Sequence, residues 1–192
     1  MLGIILKQIV YNLKIKKMKK HLMLDIETMG NQSYSAILSI AAVYFDINTG
    51  ETYDEFYKCI DLKSCLDKGL VINADTLVWW FGQNESAIKE ITKSDKYSLG
   101  EVLDDFSEFC TKDCEIWARS PRFDCGILQN AHDRLDMPIP WDFRKERCVR
   151  TLVSFNEKIK DSVLRKGDDH NPLHDCKNQI KYTVECYRSI TE

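Results

Sequence analysis

Residues 22–60 read as three β-type segments joined by short connections, and this run narrows the architecture more than any other feature. Leu22 to Glu27 and Ala36 to Asp46 are apolar runs with β-branched residues. Asp46-Ile47-Asn48-Thr49-Gly50 has turn chemistry, and Thr52 to Ile60 alternates polar and apolar side chains. Three consecutive strands linked this tightly form an antiparallel meander. Helical spacing follows. Asn73 or Asp75 can cap a helix through Trp79 and Trp80, Ser86 to Ile91 suggests a short one, and Ser98 to Cys110 lines up Val102, Leu103, Phe106, Phe109 and Cys110. Glu115 to Ala118 reads as a short strand and Phe123 to Leu135 as a helix with Ile127, Leu128, Ala131 and Leu135 inward. Met137-Pro138-Ile139-Pro140 breaks the chain, and Cys148 to Val153 reads equally as a strand or a helix start. Asn171 can cap the last helix, Pro172 suits its first turn, and Leu173, Cys176, Ile180, Val184 and Tyr187 form its buried stripe. A meander followed by alternating helices and strands predicts an α/β sandwich of mixed strand direction.

At 192 residues, 44% hydrophobic and 30% charged, the chain has enough apolar surface for one core and is too rich in it for disorder. Its early apolar run, Leu2 to Leu6, stops at Lys7, far short of the roughly 20 residues that span a bilayer, so no membrane association is expected. The eight cysteines include no CxxC pair and sit in apolar stretches, which suits reduced thiols in a cytoplasmic protein. Zinc held by Cys110 and Cys114 is the weaker alternative. Residues 1–20 hold six lysines and no acid; taking those six from 27 bases leaves 21 against 30 acids, a net charge of −9 for the remainder. We expect translation to begin at Met18, with residues 1–17 a dispensable leader or upstream sequence and residues 18–192 a single domain.

Chemistry is concentrated at three places. In Leu24-Asp25-Ile26-Glu27-Thr28 the two acids alternate on a strand and project together. On an exposed strand they would be an ordinary polar face, but flanking Leu22, Met23, Leu24 and Ile26 argue for a buried strand, where paired carboxylates need cations. Hard oxygen donors select Mg²⁺ or Mn²⁺. Asp124 opens a helix after Ser120-Pro121-Arg122-Phe123, where an acid also suits the helix dipole. His170-Asn171-Pro172-Leu173-His174-Asp175 brings a loop histidine before a capped helix and an aspartate into its first turn. His174 with His170 and Asp175 could suggest zinc, but Asn171 stands where the HExxH motif needs Glu. Trp79 and Trp80, being adjacent on a helix, cannot both face a substrate.

The order Asp-x-Glu, Asp, His-x4-Asp resembles the histidine-containing branch of the DEDD exonuclease superfamily. More closely, the chain is similar to the small phage exonuclease A group and the nuclease domain of exodeoxyribonuclease VIII, over residues 20–190. The supporting marks are Asp25-Ile26-Glu27-Thr28-Met29-Gly30, Thr76-x2-Trp79-Trp80-x2-Gln83, Arg119 ahead of Phe123-Asp124, and His170-x3-His174-Asp175-Cys176. The resemblance implies a ribonuclease H-like fold with a five-stranded mixed sheet and helices on both faces. It implies a 3'-5' exonuclease releasing nucleoside monophosphates, with two Mg²⁺ ions that Mn²⁺ can replace. Asp25 would bridge the two ions, Glu27 and Asp175 would hold the one that binds the attacking water, and Asp124 would serve the second. His170 would be the general base, with Thr28, Met29, Arg119, Phe123 and Trp80 contacting substrate. The expected substrate is a single-stranded DNA 3' end, met in the host cytoplasm if a phage encodes the enzyme. An exoribonuclease on the same site is the alternative; a non-catalytic nucleic-acid-binding module and a polymerase proofreading subunit are the others. Mass spectrometry of the protein made from its native gene should find no peptide containing Tyr11; finding one rejects the start at Met18.

Overall fold

The computed structural model describes residues 20–93, 95–156, 158–159 and 171–191. The expected leader and His170 lie outside them. The meander forms as expected: β1 (His21–Thr28), β2 (Ile37–Phe45) and β3 (Thr52–Ile60) pair antiparallel, with Asp25 opposite Ala41 and Ala41 opposite Tyr57. The sheet has six strands instead of five. A two-residue edge strand, β4 (Lys96–Tyr97), runs parallel to β3, and two residues are too few to show any periodicity in sequence. β5 (Glu115–Ala118) lies parallel to β1, and β6 (Glu146–Cys148) parallel to β5, giving the order β4-β3-β2-β1-β5-β6.

The helices are α1 (Leu62–Asp67), α2 (Ala74–Phe81), α3 (Glu85–Ile91), α4 (Leu99–Phe109), α5 (Asp124–Asp133), α6 (Val149–Val153) and α7 (Pro172–Thr191). Polar caps start α2, α4 and α7 where the sequence places their first turns. Asn73 accepts from the Thr76 N–H, Asn171 accepts from the His174 N–H at 3.1 Å, and Ser98 with Glu101 forms a capping box on α4. α1 went unread in the sequence because its six residues bury only Cys65. The ambiguous segment around 148 is both things: β6 ends at Cys148 and α6 begins at Val149.

Strand alternation divides the interior into two cores. Leu22, Leu24 and Ile26 point to one side, against Leu99, Val102, Leu103 and Phe106 of α4 and Ile127, Leu128 and Ala131 of α5. Met23 points to the other, joining Val149 and Val153 of α6 and Cys176, Ile180 and Val184 of α7. β2 is buried at all nine positions, which is why its sequence is an unbroken apolar run without alternation. Truncating a fully buried side chain such as Phe106 to Ala should cost about 3–5 kcal/mol. The cysteines are free thiols, all buried except half-buried Cys148. Cys110 and Cys114 face each other with sulfurs 3.8 Å apart, and no third metal-ligating residue joins them among those described. Among the described residues, no helix is long and apolar enough to cross a membrane.

His21 opens β1 at 6% exposure between the rings of Phe45 and Trp117. The Trp117 indole N–H donates to its Nδ1 at 3.2 Å, so the neutral ring carries its proton on Nε2. Burial pushes its pKa down to about 4, against the opposing pull of Glu115. A folded-state value below the unfolded 6.5 means that this stability is complete above pH 6.5 and is lost as pH falls towards 4. His21→Gln keeps an acceptor for Trp117 and removes the titration. In chemical denaturation its stability relative to wild type should improve by about 1–3 kcal/mol between pH 7 and pH 4; an unchanged difference refutes the assignment.

Candidate active site

The site begins with a mismatch of strand lengths. β5 ends at Ala118, opposite Leu24, so the last four residues of β1 run on without a partner on that side. The space so left is a cleft of about 390 Å³, lined from β1 by Asp25, Ile26 and Glu27. Residues after β5 (Arg119, Ser120, Phe123, Asp124), Arg150 of α6, and Asp175, Asn178, Gln179 and Tyr182 of α7 complete its walls. A cleft at the carboxyl ends of neighbouring parallel strands is where open α/β sheets place ligands.

Three carboxylates converge there. Asp25 and Glu27 leave β1 on the same face as Met23, which is the face that α7 covers, and α7 brings Asp175 down from its first turn. One oxygen from each lies within 4.8 Å of the others. A divalent ion binding oxygen at about 2.1 Å needs ligand atoms about 3 Å apart, so a small closure would let all three carboxylates reach one ion. The register of α7 is fixed by Cys176, whose thiol donates to the carbonyls of Met23 and Ala41 at 3.6 Å each.

Asp124, at the start of α5, is 4% exposed and reaches the cleft from the opposite wall. Burial raises its pKa to about 7; hydrogen bonds from the backbone of Asp124, Ser120 and Ile26, and the charge of Arg150, oppose the rise. Asp25 is held well above the usual carboxylate range, first by burial and then by Asp124, Glu27 and Asp175. Gln179 steadies it, donating from Nε2 to Asp25 Oδ1 at 2.6 Å. The other amide atom of Gln179, Oε1, is buried and takes no hydrogen bond from the described residues. Crowded hard oxygens and a buried acceptor without a donor fit a divalent cation with its water.

The remaining sequence candidates divide. Arg119 and Phe123 line the cleft. Trp80 does not: it is 1% exposed in the core, its indole N–H donating to the Thr28 carbonyl at 3.0 Å, so it braces the end of β1. Its neighbour Trp79, with the ring centroids 5.0 Å apart, is the exposed one. Thr28 and Met29 are each 6% exposed. The Thr28 hydroxyl donates to the Gly30 carbonyl at 2.6 Å, and Met29 exchanges backbone bonds with Ala36 and Asn73. These contacts shape the turn after β1, where a Cβ on Gly30 would meet the Ser35 hydroxyl at 2.5 Å. Sequence reading missed Asn178, Gln179 and Tyr182, although spacings of three, four and seven from Asp175 put them on one helical face. Arg150 left no signal, because only the β5–β6 pairing brings it beside Arg119, whose carbonyl accepts its backbone N–H at 3.4 Å.

Residues 20–187 match the family model described as the 3'-5' exoribonuclease Rv2179c-like domain. The exodeoxyribonuclease of Enterobacteria phage T4 is 27% identical over an alignment of 194 residues, covering 82% of this chain and 84% of the phage protein. Two solved structures share the fold. The nuclease domain of 3'hExo, a DEDDh family member bound to rAMP, aligns with TM-score 0.61 at 12% identity, covering 89% of this chain and 92% of that one. Pop2p of S. pombe, in a form bound to Mg²⁺ and Mn²⁺, aligns with TM-score 0.61 at 10% identity, covering 93% and 87%.

The raised pKa of Asp124 has a sign that can be tested without substrate. Its folded value near 7 exceeds the unfolded 3.8, so its contribution is full below pH 4 and lost as pH rises through 7. In the presence of a chelator, Asp124→Asn should therefore gain stability over wild type as pH rises from 4 to 7, by on the order of 1–3 kcal/mol. A thermal-melt difference that stays flat across that range contradicts the raised pKa that burial imposes on Asp124.

Proposed function

The chain belongs to the 3'-5' exoribonuclease Rv2179c-like family, within the DEDD exonuclease superfamily, and from that premise we propose that it trims DNA strands from their 3' ends into nucleoside monophosphates by two-metal hydrolysis. It is a 3'-5' exonuclease, a hydrolase acting on nucleic acid with a divalent-metal requirement. The observation that carries the mechanistic reading is the meeting of Asp25, Glu27 and Asp175 within 4.8 Å in a cleft that also holds Asp124.

Hydrolysis of a phosphodiester needs a nucleophile made from water and a stabilised leaving oxygen, and a pair of bound Mg²⁺ or Mn²⁺ ions supplies Lewis acidity for both. Asp25 would be shared by the ions, with Glu27 and Asp175 helping to hold one and Asp124 the other. His170 is assigned the proton of the attacking water, a task suited to a group that titrates near neutrality. Arg119 and Arg150 hold phosphate oxygens, which four carboxylates alone would repel. Phe123, half-buried on the wall, offers a face to the terminal base. The likeness to the phage T4 exodeoxyribonuclease favours DNA. RNA is the second reading, because the matched family is described by an exoribonuclease activity.

Incubating 5'-labelled single-stranded DNA and RNA of one sequence with Mg²⁺ or Mn²⁺ tests this. The expected result is a shortening ladder, faster on DNA, that Asp25→Asn abolishes. His170→Ala should lower kcat about 10²–10⁴-fold and flatten the rise of rate with pH. Faster loss of RNA reverses the substrate assignment, and wild-type turnover by His170→Ala removes the base. A folded protein that cleaves neither strand with either ion points to a binding module or to a specialised end structure as substrate.

A further inference from the structure

Resting on the reading of the cleft as a metal site, we propose that Gln179 is a positioning residue for the ion: one end of its amide fixes the orientation of Asp25, and the other receives a water of the ion's coordination shell. Gln179 lies four residues after Asp175 on α7, so one turn of helix carries both a candidate ligand and the group that holds another, drawn from β1. Its Nε2 donates to Asp25 Oδ1 at 2.6 Å across 154 residues of sequence. That bond uses one lone-pair direction of Oδ1 and leaves Oδ2 and the rest of Oδ1 for cations, which a carboxylate shared by two ions requires. A neutral donor is also the right kind of group. Lysine or arginine in its place would satisfy Asp25 with a positive charge and repel the ion.

The second observation is the other amide atom. Gln179 is 5% exposed and lines the cleft, yet among the described residues its buried Oε1 has no hydrogen-bond partner. Against the ionised Asp25 that a bound cation requires, turning the amide over would set Oε1 against Oδ1, two acceptors facing each other, so the orientation follows from the network. A buried acceptor left empty costs desolvation free energy unless a donor arrives with a ligand. Water on a divalent cation turns its lone pair to the ion and can only donate, so a carbonyl oxygen is a fitting neighbour. Gln179 is not needed to dock α7. Cys176 already ties the helix to Met23 and Ala41, and Ile180 and Val184 pack it on the sheet.

The test is calorimetric titration of the full chain with Mn²⁺ in the absence of substrate, together with kinetics over a range of Mn²⁺ concentration. Gln179→Met keeps the volume and removes both polar atoms, and Gln179→Asn keeps the amide but falls one methylene short; folding of each is checked by circular dichroism. Both variants should bind Mn²⁺ about 10–100-fold more weakly. They should also lose kcat at low Mn²⁺, recover part of it at high Mn²⁺, and keep the wild-type KM for oligonucleotide. A folded variant that binds Mn²⁺ as wild type does overturns the proposal. Asp25→Asn separates the two levels of failure: if it abolishes Mn²⁺ binding while Gln179→Met does not weaken it, only the role of Gln179 falls. If Asp25→Asn binds Mn²⁺ normally, the metal-site reading falls and this inference with it.

Discussion

Mutual repulsion among crowded carboxylates, one buried and three half-buried, is the constraint around which this structure is arranged. Asp25, Glu27 and Asp175 lie within 4.8 Å of one another, and Asp124 faces them at 4% exposure. Nothing about such a cluster favours folding on its own terms, because burial and like charge both oppose ionisation. It persists because each acid is attached to an element secured elsewhere. β1 is held between β2 and β5, α5 is anchored by Ile127, Leu128 and Ala131, and α7 by Cys176, Ile180 and Val184. The apolar cores supply the stability, and the charged cleft draws on it.

The cleft is a by-product of sheet geometry. Because β5 stops opposite Leu24, Asp25 and Glu27 emerge one and three residues past the end of their parallel neighbour, where no strand covers them on that side. Strand alternation then sends Asp25 and Glu27 to the α7 face, following Met23. Trp80 and Gly30 serve the same purpose from beneath. The indole holds the Thr28 carbonyl and the glycine permits the close turn against Ser35, so the strand end that carries Glu27 is supported from two sides.

Charge divides the cleft into two kinds of wall. Four acids gather on β1, α5 and α7, while Arg119 and Arg150 stand together at the ends of β5 and β6. For a polyanionic substrate the acidic part becomes attractive only with divalent cations in place, whereas the arginines attract phosphate at any time. A chain of net charge −3 can act on nucleic acid where local positive charge, here Arg119 and Arg150 in the cleft, offsets the overall repulsion.

Much of this was present in the sequence because it rests on local rules. The three-stranded meander, the caps at Asn73, Ser98 and Asn171, the stripe of α4 and the pairing of Asp25 with Glu27 follow from periods of two and 3.6 and from side chains that satisfy free N–H groups. The acids that meet were legible as a motif spread over 150 residues. What tertiary structure alone decided is which residues meet them. Two residues of β4 carry no periodic signal, and the burial of Trp80 instead of Trp79 depends on how α2 sits beneath Thr28. The contacts of Arg150 with Arg119 and of Gln179 with Asp25 join segments 31 and 154 residues apart. No local preference encodes such pairs, because they exist only once sheet register and helix docking have brought the segments together.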